Sequence, residues 1–165
     1  MESTQPEGQA PRIDIVVEAV ESPSAEMVQT LIEVDLQTFM EPTFSAYTAL
    51  ALLKNGQVYL LKADGRAIGT CVCVKRWAEE DEALLLSMGI RPGWRGRGLG
   101  QKFVHGVLDD LRDRGLKGVT LLVGKTNFRA IRTYQDVGFM AVGEYAASPQ
   151  WGGDLLELRM PLYGE

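Results

Sequence analysis

The sequence predicts a single-domain α/β sandwich, in which a mixed, twisted sheet of about seven strands is flanked by about four helices. Apolar runs typical of strands alternate with amphipathic runs typical of helices along nearly the whole chain. The length of 165 residues suits one compact core and is short for two. A glycine-rich turn at 91–100 joins a strand-like run to a helix-like run, an arrangement that can bind an anion at the helix start.

The first half of the chain predicts three strands and two helices. The strands are expected at 13–18, 58–63 and 67–76, and the helices at 24–39 and 45–53. The first helix carries apolar residues at 27, 28, 31, 32 and 36, which form one face. Pro42 interrupts the chain before the second helix. Asp64 and Gly65 form a hairpin signal between the second and third strands.

The second half predicts four strands and two further helices. The strands are expected at 83–90, 119–123, 139–145 and 155–162, and the helices at 98–114 and 127–137. Asn127 is a suitable N-cap for the last helix, and Gly138 is placed to end it. The strand at 155–162 is expected at a sheet edge, where it could pair with a second copy in a homodimer.

Composition limits the classes of protein that the chain can represent. Residues 1–11 are polar and predict a disordered N-terminal tail, and residues 12–165 form the predicted domain. No apolar run approaches the ~20 residues that span a bilayer, and no signal region is evident, so we expect a cytoplasmic protein without a membrane partner. A net charge of −5 argues against a nucleic-acid partner. Cys71 and Cys73 share one strand face and are expected to be reduced core residues, so no metal site is predicted.

The segment 91–100 is the most informative part of the sequence, because it holds four glycines, three arginines and no acid. Glycines allow close approach of a ligand, and the free N–H groups of a helix start attract anions such as phosphate. The dinucleotide-binding pattern fails here because Gln101 stands where its third glycine is needed. The nucleoside-triphosphate pattern fails at Gly124 because Gly118 lies one residue too far upstream.

Two motifs in this region resemble those of the GNAT acyltransferase superfamily, whose members use acetyl-CoA. The pattern Arg95-x-x-Gly98-x-Gly100 resembles its pyrophosphate-binding loop. One helix and one strand later, the run from Asn127 to Tyr134 resembles its second cofactor motif. The resemblance extends over about residues 13–162. It implies a V-shaped splay between the strands at 83–90 and 119–123, with acetyl-CoA in the gap.

The resemblance also implies which residues contact acetyl-CoA. These are Met88, Gly89, Ile90, Arg95, Gly96, Arg97, Gly98, Leu99, Gly100, Gln101, Asn127, Ala130 and Tyr134. Asn127 would contact the pantetheine arm, and Tyr134 would lie near the thioester sulfur as the general acid. Backbone N–H groups at Gly89 and Ile90 would stabilise the developing oxyanion.

A general base is not evident in the sequence. Many family members carry a glutamate on one of the two splayed strands, whereas the matching positions here are leucines, at 84–86 and at Leu122. Leu122 argues against the branch that acetylates ribosomal-protein N-termini. The remaining candidates lie on loops or element ends: Glu41, Glu82, Glu144 and Asp154.

The predicted function is an acetyl-CoA-dependent N-acetyltransferase acting on a primary amine of a small molecule, amino acid or peptide. The alternative is a catalytically silent acyl-CoA-binding sensor. Residues 1–50 hold nine acids and one base, which indicates either a cationic acceptor or simply a solvated acidic surface. The aromatic residues Phe44, Tyr47, Trp77 and Trp151 could line the acceptor site or form surface packing or a dimer seam.

Overall fold

The structure is a computed structural model that describes residues 10–40 and 43–163. It contains the strands β1 (Ile15–Ala19), β2 (Gln57–Ala63), β3 (Arg66–Lys75), β4 (Glu82–Ile90), β5 (Gly118–Gly124), β6 (Met140–Tyr145) and β7 (Leu155–Pro161). Its helices are α1 (Ala25–Phe39), α2 (Ala46–Asn55), α3 (Leu99–Asp113) and α4 (Phe128–Val137). The predicted α/β fold and the order of its elements are confirmed. The predicted N-terminal tail lies largely outside the described residues and stays a prediction.

Capping side chains and turn residues account for several element boundaries. Ser24 accepts a hydrogen bond from the backbone N–H of Met27 and begins α1, and Ser45 does the same for Thr48 at α2. The β2–β3 hairpin turns at Asp64 and Gly65, both with positive φ, as its tight turn requires. The sequence signals for these starts and turns therefore correspond to real structural features.

The seven strands form one mixed sheet in the order β1-β2-β3-β4-β5-β7-β6. Only the β4–β5 pair is parallel; the other neighbouring strands are antiparallel. The prediction of an edge strand at 155–162 is wrong, because β7 lies between β5 and β6. After α4 the chain passes over this position to form β6, and β7 then returns to pair with β5. The edges of the sheet are β1 and β6.

Helices cover the two faces of the sheet unequally. The larger core lies between the sheet and the helices α3 and α4, and it contains Cys71 and Cys73 as buried free cysteines, as the sequence predicted. A smaller core lies under α1 and α2, which pack over β2, β3 and β4. The same face of β5, β7 and β6 remains accessible. This open face carries Leu122, Met140, Tyr145, Glu157 and Arg159.

Candidate active site

The strands β4 and β5 diverge after three residue pairs. They pair only from Glu82 with Gly118 to Leu84 with Thr120. Beyond that point β4 remains paired with β3, and β5 remains paired with β7, so a gap opens inside the sheet. A cavity of about 540 Å³ occupies this gap. The splay that the family resemblance implied is therefore present.

A β-bulge in β4 lies at the start of the gap. Leu85 pairs with Cys73 and Ser87 pairs with Val72, so Leu86 is an extra residue without its own partner on β3. A bulge bends its strand and increases the local twist, which turns β4 away from β5. Leu86 is 45% exposed and lines the cavity.

The hydrogen-bond pattern of β4 decides which backbone groups face the gap. The N–H of Arg91 donates to the carbonyl of Ile68 on the β3 side, at 2.8 Å. Because backbone groups alternate along an antiparallel strand, the N–H of Gly89 also points to β3, while those of Met88 and Ile90 point into the gap. This corrects the expectation that Gly89 supplies an oxyanion donor. Gly89 instead allows close packing of α1, since a Cβ there would overlap the Thr38 hydroxyl.

The glycine-rich loop connects the gap to the start of α3. A short 3-10 helix at Pro92–Trp94 is followed by Gly96 and Gly98, with φ of 76° and 73°. These left-handed conformations favour glycine. Gly98 is the N-cap of α3, and a Cβ built on it would meet no protein atom within 4 Å. Gly98, Leu99 and Gly100 line the cavity, so the free N–H groups of the first turn of α3 lie at its wall, which suits an anionic ligand.

Two arginines of the loop are engaged in intramolecular contacts. Arg95 donates to the carbonyl of Ile90 (2.8 Å) and to that of Gln37 (3.0 Å), and so joins the loop to α1. Arg97 donates to the carbonyl of Gly93, and its guanidinium lies 5.0 Å from the centre of the Trp94 ring. Arg95 lines the cavity, whereas Arg97 does not. Both arginines stabilise the loop, and only Arg95 combines this with a position at the cavity.

Arg129 is a cationic cavity residue that the sequence interpretation missed. It lies in the first turn of α4 and lines the cavity, with a guanidinium nitrogen 3.6 Å from a Cβ built on Gly96. A cation is unfavourable near a helix N-terminus unless an anion is close to it. This unusual placement was the signal in the sequence. Arg129 and the start of α3 together form a positively charged site beside the glycine loop.

Asn127 and Tyr134, the two main residues of the second motif, both line the cavity. The side-chain oxygen of Asn127 accepts a hydrogen bond from the N–H of Ala130, so Asn127 is the N-cap of α4, and both residues line the cavity. Tyr134 also lines the cavity, although it is only 7% exposed. Its ring packs edge-on against the Phe139 ring, with the two ring centres 5.5 Å apart. Among the described residues, no group bonds to its hydroxyl. Burial raises the pKa of Tyr134 above its ordinary value, and the nearby thiols of the core add to this.

The structure brings nearly all of the predicted cofactor residues to one cavity. Its lining includes Met88, Gly89, Ile90, Arg95, Gly96, Gly98, Leu99, Gly100, Gln101, Asn127, Ala130 and Tyr134. The side chain of Gln101 donates to Asp136, so it links α3 to α4. The described lining also includes Thr38, Phe39 and Leu122, which lie toward the open face. The cavity therefore passes through the sheet from the glycine loop to the open face.

None of the described candidates for the general base lines this cavity. Glu82 accepts hydrogen bonds from Arg159 and Arg76, and these lower its pKa. Glu144 is paired with Lys125, and Asp154 accepts the N–H of Ala147. Glu41 lies outside the described residues. The lining that the structure describes contains no Asp, Glu or His.

In residues 10–40 and 43–163, no group of three or more His, Cys, Asp or Glu side chains is arranged to hold a metal ion. Over the same ranges, no helix combines the length and apolar character needed to cross a membrane.

Comparison with known proteins agrees with this geometry. A family model described as "Acetyltransferase (GNAT) family" matches residues 24–139. An uncharacterized N-acetyltransferase from Archaeoglobus fulgidus is 33% identical over 85 residues, which cover 49% of this chain and 57% of that protein. A mycothiol acetyltransferase from Thermobifida fusca is 35% identical over 74 residues, which cover 45% of this chain and 20% of that protein. The matches thus span between a fifth and just over half of these relatives.

Solved structures show the same fold. The ribosomal-protein-S18-alanine N-acetyltransferase from Escherichia coli superposes with a TM-score of 0.76 at 18% identity, over 92% of this chain and 96% of that one. An acetyltransferase from Bacillus subtilis in complex with CoA gives a TM-score of 0.72 at 15% identity, over 91% of this chain and 100% of that one. At such low identity these likenesses establish the fold alone. The match of the family model over residues 24–139, which is more than half of the chain, shows that the chain belongs to the acetyltransferase (GNAT) family.

Proposed function

We propose that the protein transfers the acetyl group of acetyl-CoA to a primary amine, which attacks the bound thioester directly. The observation that carries this proposal is the cavity through the splayed sheet. It has a cationic, glycine-lined end at Gly98 and Arg129 and opens at Leu122 on the opposite face. A donor with several phosphates and a small acceptor can therefore approach the same point from two sides. Membership of the acetyltransferase (GNAT) family supports this assignment.

The residues of the gap suit the binding of the donor. The first turn of α3 and Arg129 would bind the pyrophosphate, through backbone N–H groups and a charge-assisted contact. The side-chain oxygen of Asn127 is used in the N-cap bond, so its side-chain NH₂ group would hold the pantetheine arm. The N–H groups of Met88 and Ile90 face the gap and would stabilise the oxyanion that develops on the thioester carbonyl.

Tyr134 is the group that would assist departure of the thiolate. A C–N bond forms, the C–S bond breaks, and the amine loses a proton, while the thiolate gains one. Because its pKa is raised, the Tyr134 phenol stays protonated at neutral pH and can donate a hydrogen bond to the sulfur. The described lining holds no carboxylate or imidazole, so the amine would enter neutral or lose its proton to water.

A direct assay tests this function against the sensor alternative. Acetyl-CoA is incubated with the protein and a panel of amines, and free thiol is followed with a thiol-reactive dye, with an amine-free reaction as the control. Binding of acetyl-CoA is measured in parallel by calorimetry. Amine-dependent release of thiol supports the acetyltransferase. Tight binding of acetyl-CoA without release in the presence of any amine would favour the sensor instead.

A further inference from the structure

Glu157 lies beside the mouth of the cavity on the open face. It pairs with Leu122 across the β5–β7 ladder, so the two side chains stand next to each other on the same face. Leu122 lines the cavity and is 51% exposed. No carboxylate is part of the described lining, and Glu157 is one strand away from it. A ligand that leaves the gap over Leu122 therefore meets Glu157 next.

The carboxylate of Glu157 is held in place but is not neutralised. The hydroxyl of Tyr145 donates to its Oε2 at 3.2 Å. On the partner strand, Gly143 leaves room for the carboxylate, since a Cβ there would lie 3.2 Å from Oε2. Among the described residues, no cation forms an ion pair with Glu157. Its second oxygen is thus available to a ligand.

The surroundings of Glu157 favour a positively charged partner. Its neighbours on the two adjoining strands, Leu122 and Gly143, carry no charge. The next residue along β7 on this face, Arg159, is already bound by Glu82. A half-buried carboxylate beside apolar surface attracts a cation more strongly than one in open solvent. This position therefore combines an apolar surface with one uncompensated negative charge.

We propose that the acceptor carries two amines joined by a short apolar chain, and that Glu157 binds the amine that does not react, in its ammonium form. This inference rests on the proposed acetyl transfer. One amine enters the gap, the chain crosses Leu122, and the distal ammonium ion meets the Glu157 carboxylate. Neighbouring strands are about 4.8 Å apart, so the path from the gap across β5 to β7 measures roughly 10 Å and suits a chain of about five carbons. Glu157 acts here as a specificity residue.

The test compares a diamine with the matching monoamine. Acetylation of α,ω-diaminopentane and of pentylamine is measured by thiol release in the wild type and in Glu157→Gln. We expect the wild type to prefer the diamine by about tenfold in kcat/KM, and Glu157→Gln to lose this preference while pentylamine turnover stays the same. Glu144→Gln is the matched control, because Glu144 pairs with Leu156 on the other face of the same hairpin. It should retain the preference.

A binding measurement separates this inference from the proposed function. Calorimetric titration of diaminopentane into the CoA-bound protein should show about tenfold weaker binding for Glu157→Gln, whether or not turnover occurs. Equal use of both amines by the wild type would overturn the inference, and so would an equal loss for both amines in Glu157→Gln. If CoA and the diamine bind as expected but no amine releases thiol, the proposed acetyl transfer is wrong and the cation site at Glu157 stands as a binding site only.

Discussion

Replacing Tyr134 with phenylalanine separates the chemistry of this residue from its packing. The ring is 7% exposed and contacts Phe139 edge-on at 5.5 Å, and both features survive the change. The hydroxyl bonds to no described residue, so its removal breaks no hydrogen bond within that part of the fold. We therefore expect the free energy of unfolding to change by less than about 1 kcal/mol.

The effect on catalysis should be much larger. If the phenol donates to the departing thiolate, its loss removes one pre-positioned donor to developing charge, which is worth about 2.7–4 kcal/mol, or about 10²–10³ in kcat. The KM for acetyl-CoA should change much less, because the lost interaction belongs to the transition state. Since burial raises the pKa of Tyr134, ionisation of the phenol should reduce wild-type activity only above its ordinary value of about 10.

The assay is steady-state thiol release with saturating amine, combined with urea unfolding of the same samples. Arg132→Gly is a useful comparison, since Arg132 lies on the exposed side of α4 outside the cavity lining and its replacement should lower stability by about 1 kcal/mol without changing the cavity. A Tyr134→Phe enzyme with full kcat would show that the phenol takes no part in the reaction. A loss of stability that accounts for the loss of rate would assign Tyr134 to packing alone.

Three further outcomes are expected. Gly98→Val should weaken acetyl-CoA binding in calorimetry, because the valine side chain would fill the open space beside the loop. The left-handed backbone at Gly98 adds a folding cost of about 1–2 kcal/mol, and unchanged affinity would contradict the loop assignment. Arg129→Ala should weaken the same binding by about 1–3 kcal/mol, whereas Arg132→Ala on the outer surface of α4 should not. Glu82→Gln should lose about 1.5–3 kcal/mol of stability in urea unfolding at pH 7. Because the pKa of Glu82 is lowered, this stabilisation is present above about pH 4.5 and disappears as the pH falls further, so wild type and variant should converge at low pH.

Local sequence signals predicted the helices and strands and most of the residues that line the cavity. Asn127 begins α4 as its N-cap and Gly138 ends it as its C-cap, as their chemistry suggests, and the glycine loop leads into α3 as expected. The family assignment made from two motifs is confirmed by the family model over residues 24–139. These features succeed because each depends on a few neighbouring residues and their backbone preferences.

The missed features depend on contacts between distant parts of the chain. The pattern of side chains along strand 155–162 would be the same at an edge of the sheet as inside it. The position of this strand between β5 and β6 therefore could not be predicted. Glu157 is placed beside the cavity-lining residue Leu122 only by the register of β5 and β7, because the two residues lie far apart in sequence. The bonds of Arg95 to the carbonyls of Ile90 and Gln37 could not be predicted either, because only the packing of α1 brings Gln37 to the loop.

The bulge at Leu86 links the sequence of β4 to the opening of the gap. Val72 and Cys73 are consecutive on β3, yet their partners Ser87 and Leu85 are not, so deleting Leu86 would restore a regular ladder with every other pair unchanged. The fold should therefore survive the deletion. A straight β4 would continue alongside β5 and narrow the gap, so acetyl-CoA binding should fall by at least about tenfold. Leu86→Ala keeps the bulge and should bind normally; equal binding by the deletion variant would show that the splay arises from the glycine loop rather than from the bulge.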